Sequence, residues 1–183
     1  MRRNRILKKG ASYYITCTIN RDRPELKPLF VREMLLLTLK QAKKKFRFSL
    51  LNFVFVYTHC HFIIKPKRGE NLSKIMQWLL GTFAVRYNKR LKIRGKVWFD
   101  RFKSEVIEKI EDFVRSFKRV NDNLKKNKIQ ESLENYIFCG IFYFKNKNFE
   151  FLDRLPLLLE FLIWSKNYYL RFKNFLLYIK LSL

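Results

Sequence analysis

The chain has 183 residues, of which 40 are Lys or Arg and 15 are Asp or Glu, so its formal net charge is +25. Hydrophobic residues make up 48% of it, which excludes a disordered polybasic chain and allows one domain with a substantial core. No apolar run reaches the roughly 18–20 residues that a membrane-spanning helix needs, and the basic N-terminus lacks the apolar stretch of a signal peptide. We therefore expect a cytoplasmic protein.

The pattern of apolar residues predicts four strands and three helices in the first two-thirds of the chain. Strands are expected at 12–20, 48–57, 60–65 and 103–108, and helices at 29–45, from Asn71 or Ser73 to Leu91, and at 111–126. The order β-α-β-β-α-β-α is typical of a split-βαβ, α+β fold with helices packed on an antiparallel sheet.

The pattern becomes weaker after Lys128. Residues 136–144 are apolar enough for a strand or a packed loop, and 155–183 for one or two helices. We expect one domain over 1–153, followed over 154–183 by a Phe-, Leu- and Lys-rich tail that is not an independent domain. The cysteines Cys17, Cys60 and Cys139 are too widely spaced for a disulfide framework or a CxxC metal knuckle.

The strong positive charge favours a polyanionic partner, of which nucleic acid is the commonest. Two alternatives remain open. An AT-rich coding sequence would enrich Lys, Asn, Ile and Phe without any selection for binding, and the Phe- and Lys-rich tail could lie on an anionic membrane surface. Charge by itself does not separate binding from chemistry.

His59 and His61 are the only histidines, and they flank Cys60. In an extended strand, side chains at i and i+2 project from the same face, so both imidazoles could reach one divalent ion. The spacing alone is a weak signal, because such a pair is more often structural. An apolar strand at 52–57 precedes the pair, and this context favours a metal site beside a basic cleft. Cys60 is expected to point to the opposite face and into the core.

The segment 95–104 interleaves aromatic and basic residues. Aromatic faces can stack on unpaired bases while Lys and Arg bind phosphates, which suits single-stranded nucleic acid. The alternative is that Trp98 and Phe102 close the core beneath a basic surface. The residues alone do not decide between these two interpretations.

The run from about Tyr13 to Asp153 resembles the REP-associated tyrosine transposases, which are single-tyrosine HUH transposases related to those of insertion sequences. The resemblance rests mainly on Tyr57-Thr-His-Cys-His-Phe-Ile-Ile-Lys-Pro66 and Val97-Trp-Phe-Asp-Arg-Phe-Lys-Ser104. Matching segments also lie at Thr16–Arg21, Gly69–Trp78 and Ala84–Lys89. The resemblance covers about three-quarters of the chain.

The resemblance implies a ferredoxin-like fold in which His59 and His61 bind Mg²⁺ or Mn²⁺. A tyrosine on the helix after the fourth strand attacks a phosphodiester of single-stranded DNA, leaving a 5′-phosphotyrosine and a free 3′-OH. The metal acts as Lewis acid and template. A polar residue four positions after the tyrosine completes the metal shell. Single-stranded or hairpin DNA, in the bacterial nucleoid, is the implied partner. The expected DNA contacts are Arg21, Lys96, Trp98, Arg101 and Lys103.

The chain departs from the family at the nucleophile. Alignment from Trp98 without gaps places Arg119 at the tyrosine position and Asn123 at the metal-binding position, while a two-residue slip would place Phe117 and Asn121 there. Neither register supplies a tyrosine, and a guanidinium has no nucleophilic oxygen. Tyr87 and Tyr136 are poor candidates for a substitute, because both match other segments of the family.

Three functions are therefore in competition. The first is a transposase-like protein that binds single-stranded or hairpin DNA, with metal-dependent cleavage and strand transfer as the family chemistry. The alternative is a catalytically inactive DNA-binding remnant. A third, an RRM-like RNA-binding module, has the same topology, but Cys60–Lys65 does not match the aromatic RNP strings of that module.

Overall fold

The computed structural model describes residues 8, 10–21, 23 and 25–164. The strands in this part are β1 (Ser12–Thr18), β2 (Phe48–Phe55), β3 (His59–Pro66) and β4 (Lys103–Ile107). The helices are α1 (Leu29–Lys45), α2 (Leu72–Leu91), α3 (Ile110–Asn121), α4 (Asn123–Lys126), α5 (Gly140–Lys145) and α6 (Leu157–Trp164). The expected order of the first seven elements is confirmed. None of the described helices is long and apolar enough to span a membrane.

Local sequence explains where the two long helices begin and end. The side chain of Asn71 accepts hydrogen bonds from the backbone amides of Ser73 and Lys74, which caps the N-terminus of α2. Lys92 ends this helix in the left-handed conformation, with φ of 54°. The last turn of α1 carries Lys43, Lys44 and Lys45, whose charges favour the negative end of the helix dipole.

The four strands form one antiparallel sheet in the order β2-β3-β1-β4, and the ferredoxin-like α+β fold is confirmed. His61 lies opposite Thr16, and Thr16 lies opposite Lys103 on its other side. Tyr14 lies opposite Glu105 in the neighbouring row. Because side chains alternate between the two faces of a sheet, these residues share one face, which α3 covers.

The opposite face of the sheet is part of the core. Ile15, Cys17, Cys60 and Phe62 are at most 2% exposed, and they belong to one apolar cluster with the buried stripes of α1 and α2. The expectation that Cys60 points into the core is confirmed. The cysteines at 17, 60 and 139 are all free and buried.

Three segments differ from the sequence-based expectation. The helix predicted at 111–126 is divided at Asp122 into α3 and α4. Residues 136–144, expected as a strand or packed loop, form a turn that leads into α5 and makes only one isolated bridge, between Val54 and Cys139. The first part of the tail is the helix α6, which contacts α3. The rest of the predicted tail helices, 165–183, lies outside the described residues.

A buried asparagine fixes α3 against the edge of the sheet. Asn52 is fully buried, its Nδ2 donates to Asn121 Oδ1 at 3.0 Å, and its Oδ1 accepts from the amide of Phe53 at 2.8 Å. Gly140 packs directly against Asn52. A Cβ at position 140 would overlap Asn52 Oδ1 and lie 3.3 Å from Asn52 Cα. The position of α3 therefore depends on a side chain that has no space to move.

The close approach of Gly140 to Asn52 can be tested by measuring the free energy of unfolding. Gly140→Ala is expected to lower the free energy of unfolding by about 1–3 kcal/mol, because the added methyl displaces the buried amide. Gly81→Ala in α2 is the matched control: its Cβ would meet nothing within 4 Å, so it is expected to stabilise the helix by about 0.5–1 kcal/mol. Urea unfolding of the three proteins measures both effects. Equal stability of the two variants would contradict the close approach at Gly140.

Candidate functional site

The two histidines lie side by side at the beginning of β3. Their ring centroids are 4.8 Å apart and the rings are almost perpendicular, at 85°. His61 is 6% exposed, whereas His59 is half-buried. The spacing in sequence therefore brings both imidazoles to one face, at the end of the sheet where β3 begins.

Neighbouring hydroxyl groups hold the Nδ1 atom of each ring. His61 Nδ1 lies 2.7 Å from the hydroxyl of Tyr14 and 3.0 Å from Thr16 Oγ1. His59 Nδ1 lies 2.8 Å from Thr58 Oγ1. For His61, whose Nε2 has no hydrogen-bond partner among the described residues, donation from Nδ1 leaves the lone pair of Nε2 free, and this is the form that binds metals.

Asn123 faces the same histidines from the junction of α3 and α4. Its Nδ2 donates to the carbonyl oxygen of Arg119 at 2.7 Å, which turns the acceptor Oδ1 toward the sheet. Oδ1 lies 3.4 Å from His59 Nε2. Phe117 is buried and Asn121 bonds to Asn52, so the arrangement matches the ungapped alignment and not the slipped one.

The donor atoms fit a divalent cation. Among the described residues, His61 Nε2 is a buried nitrogen without a hydrogen-bond partner, and such an atom costs about 1–3 kcal/mol when it stays unpaired. Two imidazole nitrogens and one amide oxygen form a mixed set that suits a metal such as Mn²⁺. No three His, Cys, Asp or Glu side chains come together in the described part of the chain, so the third protein ligand would be the amide of Asn123.

Burial keeps both rings neutral. Desolvation lowers the pKa of His61 to about 3, and the positive charges of Arg119 and Lys126, with that of His59 when it is protonated, act in the same direction. Desolvation also lowers the pKa of His59, partly offset by its hydrogen bond to Asn123. Metal ligands must be deprotonated, so the rings are ready to bind a cation at neutral pH.

Arg119 faces the cleft at the position predicted for the nucleophile. Its guanidinium carbon lies 4.3 Å from the centroid of the Tyr14 ring, and this ring is stacked on His61 at 5.4 Å. The Nη1 and Nη2 atoms donate to both carboxylate oxygens of Glu105, at 2.7 and 3.2 Å. The one hydroxyl on α3 belongs to Ser116, three residues earlier, and this side chain is buried.

The tyrosines considered as substitutes are buried. Tyr87 is fully buried, and Tyr136 is 1% exposed and donates its hydroxyl to the carbonyl of Phe55 at 2.6 Å. Burial raises the pKa of Tyr136 to about 12, so its phenolate is inaccessible at neutral pH. Tyr14 touches the site, but it is 2% exposed and its hydroxyl is bonded to His61.

The predicted basic contacts are exposed along the β1–β4 side of the sheet. The backbone of Trp98 and Phe99 continues the pairing of β1 beyond β4, through the Ile19–Trp98 bridge and the bond from the Phe99 amide to the Thr18 carbonyl. The side chains that are exposed and positively charged here are Arg21, Lys96, Arg101 and Lys103. They remain predicted DNA contacts.

The expectation that Trp98 stacks on a base is not met in this arrangement. Trp98 is 8% exposed, its indole N–H donates to the carbonyl of Leu80 at 2.9 Å, and its ring packs on Phe83 at 5.3 Å. Phe102 is also buried, so both residues belong to the core, as in the alternative interpretation. The aromatic residue of this segment that solvent reaches is Phe99, which is 56% exposed.

Sequence reasoning did not find the residues around the histidines. Tyr14 and Thr16 support His61, Glu105 pairs with Arg119, and Lys126 adds positive charge to the site. The alternation of β1 could have indicated that Tyr14 and Thr16 share a face. Their contact with β3 depends on the strand register, which the sequence does not specify.

A family model described as IS200-like transposase matches residues 8–137. The chain belongs to this family. Its fold is similar to that in the structure of a REP-associated tyrosine transposase bound to a REP hairpin, with a TM-score of 0.67 and 17% identity over 92% of this chain and 93% of the other. A crystal structure assigned as a transposase of Deinococcus radiodurans R1 has a TM-score of 0.47 and 11% identity, over 69% of this chain and 98% of that one. No match was found among curated proteins.

Proposed function

We propose that this IS200-like transposase family member binds single-stranded or hairpin DNA, with a phosphate of the strand held beside a divalent cation. The observation that carries the proposal is the convergence of His59, His61 and Asn123 on one cleft, with Arg119 at its side. A REP hairpin is the ligand in a structure with the same fold, which supports a hairpin as partner.

His59, His61 and Asn123 would hold Mg²⁺ or Mn²⁺. A bound divalent ion would polarise a phosphoryl oxygen and orient the DNA strand. The chain's own residues have separate tasks: Tyr14 and Thr16 keep His61 in its orientation, and Thr58 does the same for His59. The exposed cations from Lys96 to Lys103 would guide the strand along the β1–β4 side toward this point.

A second candidate is a family member that binds this DNA but does not cut it through a phosphotyrosine. The observation that favours it is Arg119. Its guanidinium is ion-paired with Glu105 and has no oxygen that could attack phosphorus. The tyrosines of the core are buried, so none of those described above replaces the missing hydroxyl.

The binding experiment uses a labelled hairpin with a single-stranded extension, the extension alone, and a blunt duplex of the same stem. We expect the extended hairpin to bind tightest with Mn²⁺, and its affinity to fall steeply between 50 and 200 mM salt, since each phosphate contact releases counterions. Fluorescence anisotropy measures all three. Binding that does not depend on salt, or equal affinity for the blunt duplex, would contradict the proposal.

A second experiment separates the two candidates. The extended hairpin, labelled at its 3′ end because the family chemistry joins the protein to the 5′ end of the downstream fragment, is incubated with Mn²⁺ and analysed on a denaturing gel and on a native gel. A covalent protein–DNA band that His59→Ala abolishes would support cleavage by the chain as it stands. DNA that is shifted on the native gel without a covalent band on the denaturing gel would support the member that binds only.

A further inference from the structure

We propose that Arg119 is a phosphate-binding residue, which holds a DNA phosphodiester without covalent chemistry at the point where the family places its nucleophile. This inference rests on the proposed function, because it concerns the same cleft. It assigns a phosphate as the ligand of Arg119, a residue whose position alone suggests only that the nucleophile has been lost.

The position of Arg119 is fixed from three directions. Its carbonyl accepts a hydrogen bond from Asn123, its guanidinium carbon lies over the Tyr14 ring at 4.3 Å, and its Nη atoms donate to Glu105 on β4. Tyr14 in turn touches His61. The Tyr14 ring therefore lies between the guanidinium and His61, a histidine of the candidate metal site.

The guanidinium can exchange its partner. Arg119 and Glu105 side chains are 47% and 59% exposed, so their ion pair is open to solvent and of the kind that contributes little to stability. A phosphodiester shares one negative charge between two non-bridging oxygens, and so, like the carboxylate of Glu105, it can accept from both Nη atoms. Planar, bidentate, charge-assisted bonds to phosphate are the interaction for which Arg is best suited.

The charges around the site favour an anion. Arg119 carries a positive charge over the Tyr14 ring, and Lys126 adds another from α4, three residues after Asn123. Glu105 is the acidic group that acts on Tyr14 and Arg119 here, and it is the group that a phosphate would displace. In the absence of DNA, the carboxylate of Glu105 serves as an internal substitute for the phosphate.

Arg115 supplies a matched control on the same helix. It is 76% exposed and ion-paired with Asp112, so Arg115→Gln also removes one positive charge from α3 beside an acidic partner. Unlike Arg119, it has no contact with Tyr14 or Asn123 among the described hydrogen bonds and ring contacts. Circular dichroism spectra and thermal unfolding establish that the variants remain folded.

The experiment measures hairpin affinity by anisotropy between 50 and 200 mM salt. Arg119→Gln is expected to weaken binding about tenfold and to reduce the salt slope by about 0.7–0.9. Arg119→Lys is expected to lie between Arg119→Gln and the unmodified chain, because the charge remains and the planar fork is lost. Glu105→Gln is expected to strengthen binding, since it removes the competitor. Arg115→Gln is expected to change the affinity less than threefold.

The outcomes separate this inference from the proposed function. If the unmodified chain does not bind the hairpin, the proposed function is wrong. If it binds and Arg119→Gln behaves like Arg115→Gln, the proposed function stands and the role of Arg119 is overturned. A weaker complex with Glu105→Gln would also overturn it, because Glu105 would then support binding instead of competing.

Discussion

Arg119→Tyr is expected to form a covalent adduct with the 5′ end of a cleaved hairpin strand in the presence of Mn²⁺, whereas the unmodified chain forms none. Position 119 lies one helical turn before Asn123, whose amide oxygen is 3.4 Å from His59. A phenol there would attack phosphorus, form the O–P bond and release the 3′-OH of the strand. The gain is expected to be large, because loss of a nucleophile can cost on the order of 10⁶-fold in rate.

Two controls make this result specific. Arg119→Phe has the same ring without the hydroxyl and is expected to give no adduct. Arg119→Tyr combined with His59→Ala is expected to lose the adduct, since the metal site is incomplete. A denaturing gel of 3′-labelled DNA detects the adduct for all four proteins. An adduct in Arg119→Phe would show that the nucleophile lies elsewhere, and Tyr14→Phe would then be the next variant to test.

His61→Ala is expected to raise the dissociation constant for Mn²⁺ by more than about 100-fold. It removes a buried, neutral nitrogen donor that is aimed at the cleft and has no hydrogen-bond partner among the described residues. Tyr14→Phe is expected to have a smaller effect, about 10–100-fold, because it keeps the ligand and removes one hydroxyl that orients it. Isothermal titration calorimetry with Mn²⁺ measures both constants.

A larger loss of Mn²⁺ affinity in His61→Ala than in Tyr14→Phe would identify a metal site. Arg115→Gln serves as the control on the surface of α3, and its affinity for Mn²⁺ is expected to equal that of the unmodified chain. Unchanged Mn²⁺ affinity in His61→Ala would contradict the assignment of His61 as a ligand. Equal losses in Tyr14→Phe and His61→Ala would indicate a general disturbance of the sheet.

The sheet and its first three helices could be predicted from sequence, because they depend on local patterns. The bounds of α1 agree with the expected 29–45, and Asn71, one of the two residues expected to cap α2, is the residue that caps it. The i and i+2 spacing of His59 and His61 places both rings on one face, and this short-range rule could be applied to the sequence directly. Arg119 and Asn123 were indicated by the resemblance to the family, through the alignment from Trp98.

The remaining features depend on tertiary contacts. Trp98 lies in a segment whose mixture of aromatic and basic residues is typical of base stacking, but its indole N–H is bonded to a carbonyl of α2. No Pro or Gly in the sequence marks the division of α3 from α4 at Asp122. The contacts of Tyr14 with His61 and of Glu105 with Arg119 join residues 47 and 14 positions apart. Strand register and helix docking determine such pairs, and neither is encoded in a local pattern.

The hydrogen bonds that hold His61 and Asn123 have a consequence for the entropy of ligand binding. Immobilising a free side chain costs about 0.5–1.5 kcal/mol when a ligand binds. At His61 and Asn123 folding has already met this cost, since each side chain is buried and held by hydrogen bonds before any cation arrives. If the cleft binds a metal as proposed, its affinity would therefore be set by coordination chemistry and desolvation, with little reorganisation of the protein.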